Sequence, residues 1–303
     1  MGGSSYDVGV GSASSGKSYS DDSDKTFSSK SNANNDVLVS GERRISTEAE
    51  NPIVIALDVT GSMGDSAKIM FDKMPMFWGQ MEQKNYLKDP AVSFAAIGDA
   101  YCDTAPLQVT DFEKAKAIHP WLQKIWLEGG GGGQTYESYE LAALFYITRC
   151  SIPNCKHGFF FFIGDEGFYP EIDGKDSILI FKKLMEVYDT FFIHWPYDGG
   201  GSDDTRIVKQ WRAVMGERLL ILKDPKAIVD VMLGLIAMLT GVKSMSDYEE
   251  DLKGRGQSAS RIKTVKDTLK PFTKDLVVVS DNKSLVTKGG NLLPNRDPFR
   301  RRT

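Results

Sequence analysis

Residues 52–63 have the sequence Pro-Ile-Val-Ile-Ala-Leu-Asp-Val-Thr-Gly-Ser-Met, and this stretch predicts both the fold and the first candidate site. The run Pro52–Val59 is almost entirely apolar, which is typical of a strand buried on both faces of a parallel sheet. Asp58, Thr60 and Ser62 place oxygen-bearing side chains at every second position around its end. Because open α/β sheets bind ligands at the carboxyl ends of their strands, this turn is a candidate ligand site.

The chain between residues 51 and 241 alternates apolar strands with amphipathic helices. Further strands are expected at 91–98, 107–109, 157–164, 189–195 and 218–222, and helices at about 65–83, 136–150, 177–188, 204–215 and 225–241. This alternation predicts an α/β fold with a Rossmann-like, doubly wound, mostly parallel sheet. Residues 107–109 are expected to return as one antiparallel edge strand. Pro75 is expected to kink the first helix, and Thr110 with Glu113 to form a capping box for another.

The segments on either side of residues 51–241 differ from it in composition. Residues 1–50 are rich in Ser, Gly, Asp and Asn and have few apolar residues, which predicts a disordered tail. Residues 242–303 are mildly basic. They are predicted to form a C-terminal extension with a helical segment and a small hairpin.

The overall composition excludes several classes of protein. The 37 Lys and Arg residues against 41 Asp and Glu residues give a net charge of -4, which argues against a nucleic-acid-binding protein. Three cysteines without Cys-x-x-Cys spacing form neither a disulfide framework nor a zinc site, and they fit a reducing compartment. The longest apolar run, Val231–Leu239, is far shorter than the roughly 20 residues of a membrane span. We therefore expect a cytoplasmic protein.

Two further loops carry oxygen-bearing side chains near the ends of predicted elements. Five consecutive glycines, 129–133, lead to Thr135, and Asp165 ends a strand that contains four consecutive phenylalanines. Together with Asp-x-Thr-x-Ser at 58–62, these loops resemble the metal-ion-dependent adhesion site of von Willebrand factor A (vWA) domains. The resemblance covers about residues 52–241 and implies the vWA fold.

The resemblance also implies a cofactor and a function. Its ligands would be Asp58, Thr60, Ser62, Thr135 and Asp165, holding Mg²⁺, with Mn²⁺ or Ca²⁺ as alternatives. A cation with few directly bound carboxylates seeks another anionic ligand, which in vWA domains is often a Glu or Asp of a partner protein. The resemblance thus implies a non-enzymatic interaction module. Cytoplasmic vWA proteins often resemble adaptors for MoxR-type AAA+ ATPases or for kinase–phosphatase systems in stress or defence.

Three acidic residues near the expected site have more than one interpretation. Asp99 and Asp103 follow the second strand, where they would form an acidic rim, a second cation site or a solvated turn. Glu166 follows Asp165, so it would either support that ligand from outside the coordination shell or lie exposed to solvent.

Two other functions stay open at this point. The first is a structural or assembly protein of a large complex or phage particle that uses the same metal surface. The second is a phosphatase similar to the haloacid dehalogenases, because Gly-Asp-Ala-Tyr-Cys-Asp at 98–103 resembles their Gly-Asp-x-x-x-Asp motif. In that family an acidic residue occupies the position of Thr60, and the Gly-Asp motif comes later in the chain. We therefore expect no enzyme.

Overall fold

A computed structural model describes residues 33–39, 43–129, 136–196 and 202–273, with two short strands beyond them. Its main sheet has six strands: β1 (Asn51–Asp58), β2 (Pro90–Ile97), β3 (Leu107–Val109), β4 (Phe159–Gly164), β5 (Asp189–His194) and β6 (Leu219–Ile221). Their order is β6-β5-β4-β1-β2-β3. Neighbouring strands are parallel except β2 and β3, which are antiparallel. This confirms the predicted mostly parallel sheet with an antiparallel edge strand.

Helices cover both faces of this sheet. Those of eight or more residues in the described ranges are α1 (Gly64–Phe71), α2 (Met74–Lys84), α3 (Tyr139–Thr148), α4 (Ser177–Met185), α5 (Ser202–Met215), α6 (Ile228–Leu239), α7 (Met245–Gly254) and α8 (Ala259–Thr273). Helices α1, α2, α6, α7 and α8 pack in one hydrophobic cluster with Phe159 and Phe161, and α3, α4 and α5 in another with Phe160 and Phe162. Because side chains alternate along a strand, β4 supplies both cores, which is why four consecutive phenylalanines are buried. None of the helices in the described ranges has the length and apolar character needed to cross a bilayer.

Two local predictions are wrong. The helix expected over 65–83 is broken at Asp72 and Lys73, and Pro75 lies in the first turn of α2. Proline is favoured there because its missing N–H would have no partner within the helix. Thr110 caps no helix, because its hydroxyl accepts a hydrogen bond from the backbone N–H of Phe94 (2.9 Å). Glu113 instead pairs with a residue of β2 in an isolated antiparallel bridge.

Part of the chain before residue 51 packs against the domain. The backbone N–H of Val39 donates to the carbonyl of Leu107 (3.0 Å), and that of Val109 donates to the carbonyl of Val37 (2.6 Å). Val37 is fully buried in the core. The segment 33–39 therefore covers the edge of β3. Most of the expected N-terminal tail, residues 1–32, lies outside the described residues.

Part of the C-terminal extension also packs against the domain. Tyr248 and Leu252 of α7, and Val265 and Leu269 of α8, are buried in the same core as α6. At Gly234 of α6, an added Cβ would lie 2.6 Å from Leu269 and 2.7 Å from Tyr248, so the helices approach too closely for a larger residue. The two strands of the expected hairpin pair antiparallel, at 277–278 and 285–286, and the other residues of 274–303 lie outside the described part of the chain.

A buried ion pair joins α6 to the end of α7. The carboxylate of Asp230 is fully buried, with Arg255 Nη1 at 3.0 Å and Arg261 Nη1 at 3.7 Å. Removing one partner of a buried pair leaves an uncompensated charge, which costs more than the intact pair contributes.

We therefore expect Arg255→Ala to lower the free energy of unfolding by about 3 kcal/mol, since it leaves Asp230 without its nearest cation. Lys263→Ala is the control, because Lys263 forms an exposed pair with Asp267 on α8 and should change stability very little. Urea denaturation of the full chain measures both. Equal, small effects would show that the buried pair of Asp230 and Arg255 does not contribute to stability.

Candidate metal centre

The loop after β1 is held by the side chain of Asp58 at the end of that strand. Asp58 is fully buried, and its Oδ1 accepts hydrogen bonds from the backbone N–H (2.9 Å) and the hydroxyl (2.6 Å) of Thr60. The Thr60 hydroxyl lies 3.3 Å from that of Ser62. The alternating positions seen in the sequence thus bring three oxygen-bearing side chains together on one turn.

The second loop meets the first because β1 and β4 are neighbouring parallel strands. Asp165 follows β4 directly, and its Oδ1 accepts a hydrogen bond from the hydroxyl of Ser62 (3.0 Å). The approach depends on Gly164, where an added Cβ would lie only 3.0 Å from Cβ of Asp58. Two carboxylates far apart in sequence are thereby joined through two hydroxyls.

Four of the five predicted ligands therefore form one continuous row, in the order Asp58, Thr60, Ser62 and Asp165. The fifth, Thr135, falls in the glycine-rich segment 130–135 and lies outside the described residues. Its part in the site stays a prediction.

The two carboxylates of this row are buried without a basic partner. Among the described residues, no Lys or Arg forms an ion pair with Asp58 or Asp165, and Oδ2 of Asp165 accepts no hydrogen bond. Burial raises the pKa of Asp58. Burial, with the nearby charge of Asp58, raises the pKa of Asp165 to about 8. Buried carboxylates in this state are stabilised by a cation or by protons.

Two more buried acids were not predicted from the sequence: Glu137, which feels the charges of Asp58 and Asp165, and Glu140, which feels that of Asp99. Burial and then the charge of Asp58 raise the pKa of Glu137 to about 10, and burial raises that of Glu140 to about 8. Glu137 was missed because the sequence predicts a helix over 136–150, whereas α3 begins only at Tyr139. Tyr136 and Glu137 instead pair with 167–168 as a short parallel strand, which places Glu137 beside the loop of Asp165.

The two aspartates of the turn after β2 are engaged in holding that turn. Asp103 Oδ2 accepts from the backbone N–H of Asp99 (2.7 Å), and Asp99 Oδ1 accepts from that of Tyr101 (2.9 Å). The hydroxyl of Tyr169 also donates to the Asp99 carboxylate (3.0 Å). Burial raises the pKa of Asp103 to about 6. The turn is thus a hydrogen-bonded rim, and a second cation there stays an untested prediction.

Glu166 is half-buried beside Asp165. Its carboxylate lies 3.9 Å from Nη2 of Arg206, and its backbone carbonyl accepts a hydrogen bond from Nε1 of Trp211 (2.9 Å). The residue therefore connects the loop of Asp165 to α5, and its role toward the metal stays a prediction.

The donor set fits a hard divalent cation. In the described ranges no three Asp, Glu, His or Cys side chains converge as metal ligands. Thr60 and Ser62 supply hydroxyls beside two carboxylates, and Mg²⁺ prefers oxygen ligands of this kind. The orphaned Oδ2 of Asp165 is a buried acceptor that a bound cation would satisfy.

Comparison with known proteins finds structural similarity alone. No family model matches the chain, and no curated protein matches it. The pilus adhesin SpaC from Lactobacillus rhamnosus GG, in its open conformation, is similar to it with a TM-score of 0.47 and 10% identity. That similarity covers 64% of this chain and 31% of the adhesin.

Proximal thread matrix protein 1 from the mussel byssus is similar with a TM-score of 0.45 and 10% identity, over 63% of this chain and 48% of that protein. A second structure of it, described as having a zinc-occupied MIDAS motif, gives 0.43 and 11% over the same shares. The chain thus spans less than half of the length of these proteins. Values this low do not assign a family.

The raised pKa values predict how stability depends on pH. Asp165 and Glu140 have pKa values of about 8 in the folded protein and about 4 in the unfolded chain, so the folded state binds more protons between these values. We expect the melting temperature of the metal-free protein to fall as pH rises from about 5 to 8. Since a metal binds the ionised carboxylates, Mg²⁺ should raise it more at pH 8 than at pH 5.5.

Differential scanning calorimetry with Mg²⁺ or with EDTA measures this difference. Asp165→Asn removes one of the titrating groups and should flatten the pH dependence. An equal effect of Mg²⁺ at both pH values would contradict the assignment of Asp165 to the metal centre.

Proposed function

We propose that this chain is a vWA-type interaction module that holds Mg²⁺ at Asp58, Thr60, Ser62, Thr135 and Asp165. The bound cation would take an acidic residue of a partner protein as a further ligand. The observation that carries this proposal is the row of hydrogen bonds that joins two buried carboxylates, without basic partners, through two hydroxyls. Mn²⁺ or Ca²⁺ would suit the same oxygen ligands.

The hydrogen bonds of the row indicate the part of each residue. Both oxygens of Asp58 already accept hydrogen bonds, from Thr60 and from Tyr139, so Asp58 suits contact with the cation through water. Thr60 and Ser62 suit direct contact through neutral hydroxyls. Asp165 keeps one oxygen free of hydrogen bonds within the described residues, and it would supply the charged ligand. One directly bound carboxylate leaves a divalent cation with positive charge that a partner's Glu or Asp would neutralise.

Binding rather than catalysis fits the side chains around the row. Thr60 occupies the position where a haloacid-dehalogenase-like phosphatase needs its acid/base carboxylate, and its hydroxyl donates to Asp58. Asp99 and Asp103, which resemble the second motif of that family, are hydrogen-bonded within their own turn. We therefore propose a non-enzymatic module. An adaptor role for an AAA+ ATPase or a kinase–phosphatase system is a narrower proposal that rests on the family resemblance alone.

The metal site is tested by titrating metal-free protein with Mn²⁺ and Mg²⁺ in a calorimeter. Asp58→Asn and Asp165→Asn keep the size of each side chain while removing one charge, and each should abolish measurable binding. Asp267→Asn, which changes an exposed acid on α8, is the matched control and should bind as the wild type does. Unchanged binding by the first two variants would overturn the proposed site.

The partner is tested with a tagged full-length chain in extract of its source cells. Proteins retained by wild type in Mg²⁺, and lost with Asp58→Asn or EDTA, would be candidates. Each is then purified and its exposed Glu and Asp residues are changed to Gln and Asn. One such change should abolish binding; a partner that binds equally in EDTA would contradict the mechanism.

A further inference from the structure

Tyr139 contacts Asp58 through the carboxylate oxygen that Thr60 leaves free. Its hydroxyl donates a hydrogen bond of 2.5 Å to Oδ2 of Asp58, whereas both hydrogen bonds from Thr60 go to Oδ1. The tyrosine is fully buried in the first turn of α3. The two oxygens of this carboxylate are thus held by different elements of the fold.

The hydroxyl and the ring of Tyr139 are both closely packed. An added Cβ at Gly164 would lie 1.8 Å from the hydroxyl oxygen, so this strand end must be glycine for the hydrogen bond to form. The ring of Tyr139 packs edge-on against Phe162, Phe192 and Trp211, with centroids 6.1, 5.5 and 5.2 Å away. A group whose rotamer is locked by packing can orient a charged partner.

The same packing connects Tyr139 to the second carboxylate. Trp211, which packs against the ring of Tyr139, donates through Nε1 to the carbonyl of Glu166 (2.9 Å). Glu166 directly follows Asp165. The packed rings of Tyr139 and Trp211 therefore hold both the hydroxyl that contacts Asp58 and the backbone next to Asp165. They lie on the side of the sheet where α3 and α5 pack.

A tyrosine in this position acts as a hydrogen-bond donor. An ionised carboxylate can only accept hydrogen bonds, so the hydroxyl of Tyr139 is the donor to Asp58. Hydrogen bonds to ionised groups are stronger than those between neutral groups. Groups that orient ligands from outside the coordination shell typically change metal affinity about 10- to 100-fold when they are removed.

We propose that Tyr139 is a positioning residue of the metal centre, whose hydroxyl fixes the orientation of the Asp58 carboxylate toward the cation. This inference rests on the proposed function, because it assigns a role toward the same metal. It adds a residue outside the five predicted ligands, and it explains why position 164 is a glycine beside a tyrosine hydroxyl.

The test is Tyr139→Phe, which removes the hydroxyl and keeps the ring. Calorimetric titration with Mn²⁺ should show affinity lower by about 10- to 100-fold than that of wild type. Tyr146→Phe is the matched control, since Tyr146 is also buried on α3 and its hydroxyl lies 2.6 Å from Oγ of Ser93, away from the site. Both variants lose a buried tyrosine hydrogen bond, but only the first should lose metal affinity.

The outcomes separate this inference from the proposed function. If Asp58→Asn abolishes binding while Tyr139→Phe and Tyr146→Phe both bind as wild type, the role of Tyr139 is wrong and the metal site stands. If wild type binds no metal, the proposed function fails first. If Tyr139→Phe does not fold, Trp211→Phe loosens the packing around Tyr139 and should weaken Mn²⁺ binding severalfold; wild-type affinity in that variant would overturn the inference.

Discussion

Two carboxylates buried at the ends of neighbouring parallel strands are the constraint on which the rest of the site depends. Isolated charges in a protein interior cost several kcal/mol each, so a fold retains them only with compensating donors or a bound cation. Here Asp58 receives three hydrogen bonds from Thr60 and Tyr139, and Asp165 receives one from Ser62. Because no basic side chain stands among their described partners, the two carboxylates are stabilised either by protonation or by a bound metal.

The doubly wound sheet makes this arrangement possible. Because β1 and β4 are adjacent and parallel, their carboxyl ends bring two distant loops to one edge of the sheet. The phenylalanines of β4 pack against helices on both faces of the sheet. On one face, the rings of Trp211 and Tyr139 pack together and the Tyr139 hydroxyl contacts Asp58, so the packing that supports the fold also reaches the site.

Much of the fold could be predicted because its signals lie in short stretches of the sequence. The apolar run before Asp58 and the alternation of strands and helices predict the sheet, and the oxygen-bearing residues predict the ligand row. The wrong predictions concern residues whose tertiary contacts override the local sequence signal. Thr110 bonds to β2 instead of capping a helix, and the pairing of Tyr136 and Glu137 with the loop of Asp165 delays α3. The hydrogen bond from Tyr139 joins residues 81 positions apart, which no periodicity reveals.

The central claim is that one divalent cation binds at the row formed by Asp58, Thr60, Ser62 and Asp165. Anomalous diffraction from crystals grown with Mn²⁺ tests it most directly. The account predicts one strong peak at about 2.1 Å from the hydroxyl oxygens of Thr60 and Ser62, as expected for oxygen ligands of a small divalent cation, and no such peak in Asp58→Asn. A fully occupied Mn²⁺ elsewhere, with these hydroxyls still bonded only to each other and to the carboxylates, would contradict it.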